Sequence, residues 1–437
     1  MASIFSLIFS LFFILFSGNE VLMLVGFGFW FFFLKSYDFC ENSSLSSFGS
    51  LDFLGWGLIA LSFWIVLMSL LSSLSHFKSS FSHSWFSFLM VFLLLMLIFS
   101  FYVKGYLQFY IFFESSFIPV LLMILGWGYQ PERSGAGLYM MFYTLVGSLP
   151  LLIVFLMINF EYHMNMMSYT KLVNKSFFIY FLMFAFLIKF PMYLTHLWLP
   201  KAHLEAPLAG SMLLAGVLLK LGGYGLVRVL PLIGCMGEIM SFIICVSLWG
   251  GVCVSLICLR QFDMKLIIAY SSVVHMSGCI SGLMVMSDWG LKGCMILMVG
   301  HGLCSSGLFY LANCVYIRTG SRSMLINKGL LSVMPSLSLF WFLLLSVNMA
   351  SPPSINLLGE IMLMGSVLCW CQESVWVLFL LGFLSVTYSL YLFSFSQHGG
   401  LSYDKKSFNS GVVLEYLIVL SHWAPSNLLI LMSSLIS

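Results

Sequence analysis

Apolar runs long enough to cross a bilayer recur from one end of this sequence to the other, which removes most folds from consideration. "MASIFSLIFSLFFILFSG", "LQFYIFFESSFIPVLLMIL" and "FLMFAFLIKFPMYLTH" are three of them. The hydrocarbon core of a bilayer takes about 20 apolar residues as a helix. In lipid the backbone must satisfy its own hydrogen bonds, so only helices and closed barrels span it. A barrel would show segments of about ten residues with alternating polarity, and these runs do not alternate. Of 437 residues, 61% are hydrophobic and 8% charged, and the mean hydropathy is +1.06. So few charges cannot cover a water-facing surface of this size. The expectation is an all-α polytopic membrane protein.

The pattern predicts about fourteen transmembrane helices, centred near residues 9, 27, 61, 94, 115, 147, 187, 218, 248, 274, 301, 350, 386 and 422. The amino-terminal stretch lacks the basic start of a signal peptide and reads as the first span. Residues 1–437 read as one membrane domain: helices one to four in 1–103, five to eight in 105–230, nine to thirteen in 238–396, and the last in 411–437. The longest polar connections are 35–47, 159–175 and 318–329, none large enough for a separate domain.

Two spans look discontinuous. The seventh carries Pro191 and Pro200, and the twelfth, from about 332 to 371, is broken by "SPPS" at 351–354. Proline frees backbone carbonyls, tolerable at membrane depth only where protein or a wet cavity meets them. Broken helices at corresponding places suggest two inverted five-helix repeats, helices four to eight and nine to thirteen.

The net charge of +3 is spread out, with no basic run to suggest nucleic acid. Loops after odd-numbered helices hold Lys78, Arg133, Lys201, Arg260, Lys265, Arg318, Arg322, Lys328, Lys405 and Lys406. Loops after even-numbered helices hold only Lys35, Lys104, Lys171, Lys175, Arg228 and Lys292. The bias directs the odd loops to the negative compartment and both termini to the positive one. The eleven cysteines are scattered, without a C-x-x-C pair or histidines at metal-ligand spacing. They read as small core hydrophobes, so neither disulfides nor an iron–sulfur cluster is expected.

Ionisable groups inside the apolar runs carry the functional argument. Glu114, Lys189, Lys220 and Glu360 lie deep in their segments, and so do His275 and His301. A charge at the centre of a membrane helix costs roughly 2.5–3.5 kcal/mol on insertion scales. For one such group, snorkelling or a structural ion pair is explanation enough. Six at similar depth fit a row that hands protons along, with imidazole as the natural relay near neutral pH. The histidines could also be packing residues bonded to Ser271, Ser272 or Ser305, and His196 and His203 could be interfacial. The clusters "RQFDMK" (260–265) and "QPERSGAG" (130–137) read as solvated loop charges or contacts with neighbouring subunits. The glycines of "KLGGYGLVR" (220–228) read as close helix packing, not a nucleotide loop.

The run "KFPMYLTHLWLPKAHLEAPLAGSMLLAGVLLKLGGYGLVR" (189–228) resembles the core motif of the subunit 4 family of respiratory NADH:ubiquinone oxidoreductase, complex I. That family is akin to the Mrp-type cation/proton antiporters. "YIFFESSFIPVLLMI" (110–124), "SLWGGVCVSLICLRQFDMKLIIAYSSVVHM" (247–276), "GHGLCSSGLFYLAN" (300–313) and "PPSINLLGE" (352–360) agree with it. The likeness covers about residues 105 to 400; the first hundred match only in hydropathy. Gly300 stands where the family commonly has alanine, and "NCVYIRTGSR" lacks the glutamate and histidine usual in that loop.

The resemblance implies a proton-translocating subunit of the membrane arm in the mitochondrial inner membrane, with both termini on the intermembrane-space side. Its essential groups fall on Glu114, Lys189, Lys220 and Glu360, with His275 and His301 as relay. No redox centre or cofactor is expected in this chain; NADH, FMN, iron–sulfur clusters and ubiquinone belong to the complex as a whole. Neighbouring antiporter-like subunits and lipids are the expected partners. A free-standing cation/proton antiporter and a purely structural membrane subunit are the alternatives.

Overall fold

A computed structural model of the chain describes residues 52–73, 80–162, 167, 176–234, 237–400 and 411–431. Helices account for most of them, and among the described residues no strand forms beyond one isolated bridge between Asp263 and Ser323. In chain order they are α1 (Phe53–Ser73), α2 (Ser80–Tyr102), α3 (Tyr106–Ser115), α4 (Phe117–Trp127), α5 (Arg133–Tyr162), α6 (Ser176–Lys189), α7 (Trp198–Glu205) and α8 (Leu208–Leu213). A π-helical turn, Leu214–Leu218, joins α8 to α9 (Leu219–Ile233). Then follow α10 (Gly237–Cys258), α11 (Met264–Met284), α12 (Asp288–Thr319), α13 (Leu330–Val333), α14 (Pro335–Asn348), α15 (Ile355–Trp370), α16 (Val375–Gln397) and α17 (Val413–Leu428).

Ten of the described helices are long and apolar enough to cross a membrane, counting α3 with α4, and α8 with α9, as single spans. The helices expected around residues 9 and 27 lie outside the described residues. The other expected centres fall in helices, except residue 350, which falls in a break. α12 is the axis of the bundle: its apolar span is wholly enclosed, and it packs against α1, α8, α11, α14, α15 and α17. Ion pairs tie the periphery to this core. Arg228 in the second half of α9 pairs with Asp52, and Arg318 at the end of α12 pairs with Glu415 of α17 at 2.6 Å.

Both expected breaks are present, and each is stitched by side chains. α6 ends at Lys189 and α7 begins at Trp198. The carbonyls that Pro191 leaves without helical partners are taken up locally: Thr195 Oγ1 donates to Leu187 O at 2.9 Å and Trp198 Nε1 to Ile188 O at 3.0 Å. In the second break, between α14 and α15, Ser351 Oγ donates to Ser346 O at 2.9 Å and Asn356 Nδ2 to Val347 O at 3.0 Å. Each break also holds one non-glycine residue in the left-handed region, Leu194 (φ 81°) and Ala350 (φ 56°).

Close approach needs glycine at two places. A Cβ on Gly222 of α9 would sit 2.6 Å from the backbone nitrogen of Phe190, so α9 presses on the end of α6 beside Lys189. A Cβ on Gly359 of α15 would sit 3.0 Å from the backbone of Leu297, so α15 lies tight on α12 and carries Glu360 inward.

Candidate proton-relay site

The titratable residues fall into two groups. In the first, Lys189 Nζ lies 3.0 Å from Glu114 Oε1, donates to Phe113 O at 2.9 Å and stands over the Phe113 ring. Glu114 is the next-to-last residue of α3, just before the chain steps into α4, and Lys189 is the last residue of α6. The unwound segment after Lys189 lets the ammonium reach across to α3. Lys189 sits at the carboxyl end of its helix, where the macrodipole favours a cation.

The second group runs across the bundle. Lys220 Nζ donates to Ala215 O, a carbonyl in the π turn, and lies 3.1 Å from His301 Nδ1 of α12. The widened turn presents that carbonyl to the lysine, a common use of π-bulges at functional sites. With the ammonium donating to Nδ1, the His301 ring proton sits on Nε2. The His275 ring of α11 is next, its centroid 5.4 Å from that of His301. His275 Nδ1 lies 3.2 Å from Glu360 Oε1, and its Nε2 lies 3.3 Å from Tyr388 Oη of α16. A neutral ring that donates from Nδ1 to the carboxylate accepts at Nε2 from the tyrosine hydroxyl.

Exposure is graded along the row. The side chains of Glu114 and Glu360 are 21% and 20% exposed, whereas Lys220 at the centre is 0% exposed. A cavity of about 60 Å³ opens beside Glu360 and His275, lined also by Ser281 and Ser385. It has room for several waters at about 10–15 Å³ each, although most of its lining is apolar, with Val274, Leu363 and Leu381 among the residues.

Several expectations need correction. Ser271 and Ser272 donate to carbonyls of their own helix, Ile268 O and Ala269 O, and Ser305 to the backbone carbonyl of His301. Serines in apolar helices find their nearest acceptor one turn back, so the imidazoles are left to the titratable row. His203 is fully buried and stacked on Phe309 with centroids 4.7 Å apart. His196 is buried in the first break, stacked on Tyr193, and the structure does not bring it to the row. Lys265, read as a solvated loop charge, is 1% exposed. Tyr388 was missed, because an aromatic in an apolar span carries no mark of its partner.

Residues 103–387 match the family described as NADH:quinone oxidoreductase/Mrp antiporter, TM. Residues 1–100, where only hydropathy pointed to it, match NADH-ubiquinone oxidoreductase chain 4, amino terminus. The NADH-ubiquinone oxidoreductase chain 4 of Aedes aegypti is 54% identical over 92% of this chain and 90% of its own length. The chain belongs to the NADH-ubiquinone oxidoreductase chain 4 family. The Locusta migratoria member is 49% identical over 92% of this chain and 91% of its own. Among solved structures, a chain of respiratory complex I from Thermus thermophilus with bound NADH superposes with a TM-score of 0.82 at 21% identity, covering 96% of both chains. A chain of the Mrp complex from Dietzia sp. DQ12-45-1b gives a TM-score of 0.76 at 18% identity, over 87% of this chain and 42% of that one. The antiporter-like fold is therefore common to these proteins. Among the described residues no group of three or more His, Cys, Asp or Glu is placed to hold a metal ion.

Proposed function

We propose that this chain carries protons in the membrane arm of mitochondrial complex I, driven by quinone reduction elsewhere in the complex, through Glu114, Lys189, Lys220, His301, His275 and Glu360. The observation that carries this reading is the row itself: titratable groups at bilayer depth, accessible at both ends and sealed in the middle. Such a row can take up and release protons at its ends, while its sealed centre prevents a leak. Closing or stretching the Glu114–Lys189 pair sets whether the lysine holds its proton. Lys220 and the two histidines pass it across, and Glu360, beside its cavity, exchanges it. Both termini then face the intermembrane space, as the loop-charge bias directs. Any redox group of the reaction lies in other subunits, and the exposed apolar helix faces meet lipid and neighbouring antiporter-like subunits.

Lys189→Met in the assembled complex, reconstituted in vesicles, tests the proposal. We expect coupled NADH oxidation and proton translocation to fall together by about tenfold or more, with assembly intact. Unchanged protons moved per NADH oxidised would make the chain a structural subunit instead.

A further inference from the structure

α17 carries a buried histidine in mid-span that the row does not use. His422 is 0% exposed, and its Nδ1 lies 3.2 Å from Ser306 Oγ of α12. Ser306 donates to backbone carbonyls one turn back, Gly302 O at 2.8 Å and Leu303 O at 3.0 Å. A hydroxyl has one proton to give. With that proton directed at the carbonyls, the imidazole is the donor, and His422 carries its own proton on Nδ1. Its Nε2 is buried without a partner among the described residues. The two helices are close here, for a Cβ on Gly307 of α12 would sit 3.1 Å from the Cβ of His422. Polar side chains that bond across helices are a recognised means of fixing contacts in lipid.

The bond from His422 leads to the centre of the row by short steps. Gly302, whose carbonyl Ser306 holds, is the residue after His301. There α12 presses on the π turn: a Cβ on Gly302 would sit 3.0 Å from Gly216 O and 2.9 Å from the Leu61 side chain of α1. Ile65 of α1 also closes on Gly216, and Trp64 Nε1 of α1 donates to Ser421 O of α17 at 3.2 Å. Thus α1, α12, α17 and the π turn meet at one junction. The residues just before Gly216 and Gly302 are Ala215 and His301, the two that hold the Lys220 ammonium. The contact that sets the spacing of α12 and the π turn therefore also sets the gap that Lys220 bridges.

We propose that His422 is a positioning residue for Lys220: through Ser306 it holds α12 against the π turn and keeps His301 within hydrogen-bond reach of the lysine. This rests on the proton-carrying reading above. His422 takes up and releases no proton in the transfer; its Nδ1 proton stays in the bond to Ser306. Direct proton transfer needs donor and acceptor about 2.6–3.2 Å apart. Lys220 Nζ and His301 Nδ1, at 3.1 Å, are at the long end of that range. A small drift of α12 away from α17 and the π turn is then enough to interrupt the row. The last helix thereby serves the relay without adding a group to it.

The test uses His422→Asn, His422→Phe and Ser306→Ala in the assembled complex in vesicles, beside Lys189→Met, measuring protons moved and NADH oxidised. Asparagine keeps an N–H donor near the place of Nδ1–H but lacks the ring; phenylalanine keeps the ring and lacks the donor. A residue that only fills space tolerates phenylalanine better, whereas a positioning donor tolerates asparagine better. We expect His422→Phe and Ser306→Ala each to lower coupled turnover about three- to fivefold, the loss of one interhelical hydrogen bond. The two together should cost no more than either alone, and His422→Asn should stay close to normal. Normal turnover in His422→Phe would make the ring a packing residue and overturn the proposal. So would a loss in His422→Asn as deep as in His422→Phe, which would make His422 itself a proton carrier. Ser306→Ala changes the volume least and decides the matter where His422→Phe does not assemble: normal turnover there overturns the proposal. If Lys189→Met pumps normally as well, the underlying reading of the chain falls, not the role of His422 alone.

Discussion

In the first broken helix the charged residue is the last one before the chain unwinds; in the second it comes more than a turn after the helix resumes. Lys189 ends α6, against carbonyls that have lost their helical partners, with a dipole contribution of about 0.3–1 kcal/mol in its favour. Glu360 lies beyond the first turn of α15, where the dipole has faded, and its ion-pair partner is a histidine. The difference is in what holds each charge. The Lys189 ammonium is fixed by a carboxylate, a carbonyl and a ring, only the first of which titrates. Glu360 is held by an imidazole, a side chain that can itself carry a proton. In the proposed transport, the first break would serve as a pair that gates by distance, and the second as an exit whose affinity follows the state of the relay.

The comparison predicts unequal damage when each charge is removed. Lys189→Met strands Glu114, whose Oε1 has no other donor among the described residues. The Glu114 side chain is 21% exposed, so stranding it costs less than the roughly 3–5 kcal/mol of a fully buried pair. Glu360→Gln keeps an oxygen that can accept from His275, so the geometry survives and only proton exchange is lost. Coupled NADH oxidation should therefore fall further in Lys189→Met, by about tenfold or more against several-fold for Glu360→Gln. Equal losses in the two assembled complexes would dissolve the distinction between the breaks.

Much of this was legible in the sequence because the bilayer makes exceptions conspicuous. A lysine or glutamate within an apolar run has few bland explanations, and proline marks the breaks at Pro191 and at "SPPS". What could not be read is what depends on distant chain segments. Nothing in "LLAGVLLK" announces the π turn at Leu214–Leu218, because helix propensity does not distinguish it from an α-helix. Lys265 flanks a polar loop and looks solvated, but Tyr129, far away in sequence, roofs it. The pairing of His275 with Glu360 and Tyr388 joins three helices whose register only the fold sets.

A smaller effect probes the second break alone. Tyr388→Phe removes the hydroxyl from His275 Nε2 and leaves the ring in place. Without that donor the imidazole is freer to change tautomer, so its hold on Glu360 loosens. Turnover should drop about two- to fivefold, matching about 0.5–1 kcal/mol from the loss of one neutral hydrogen bond. The same substitution should leave the consequences of Lys189→Met unaltered, because the two groups share no hydrogen bond. A non-additive double variant would show the breaks to be coupled more tightly than this geometry provides.

The smallest expected effects concern backbone strain, and they also differ between the breaks. An L-residue in the left-handed region costs about 1–2 kcal/mol, and glycine removes that cost while loosening the unfolded chain by about 0.5–1 kcal/mol. Leu194 is 66% exposed, so Leu194→Gly gives up little packing. The net gain is about 0.5 kcal/mol, seen as a modestly longer half-life of the complex on heating. Ala350 is buried, and deleting its methyl forfeits about 0.8 kcal/mol of contact. Ala350→Gly should therefore leave the half-life unchanged or shortened. A larger gain at 350 than at 194 would mean that the second break, not the first, stores the strain, and the roles assigned to the two would be exchanged.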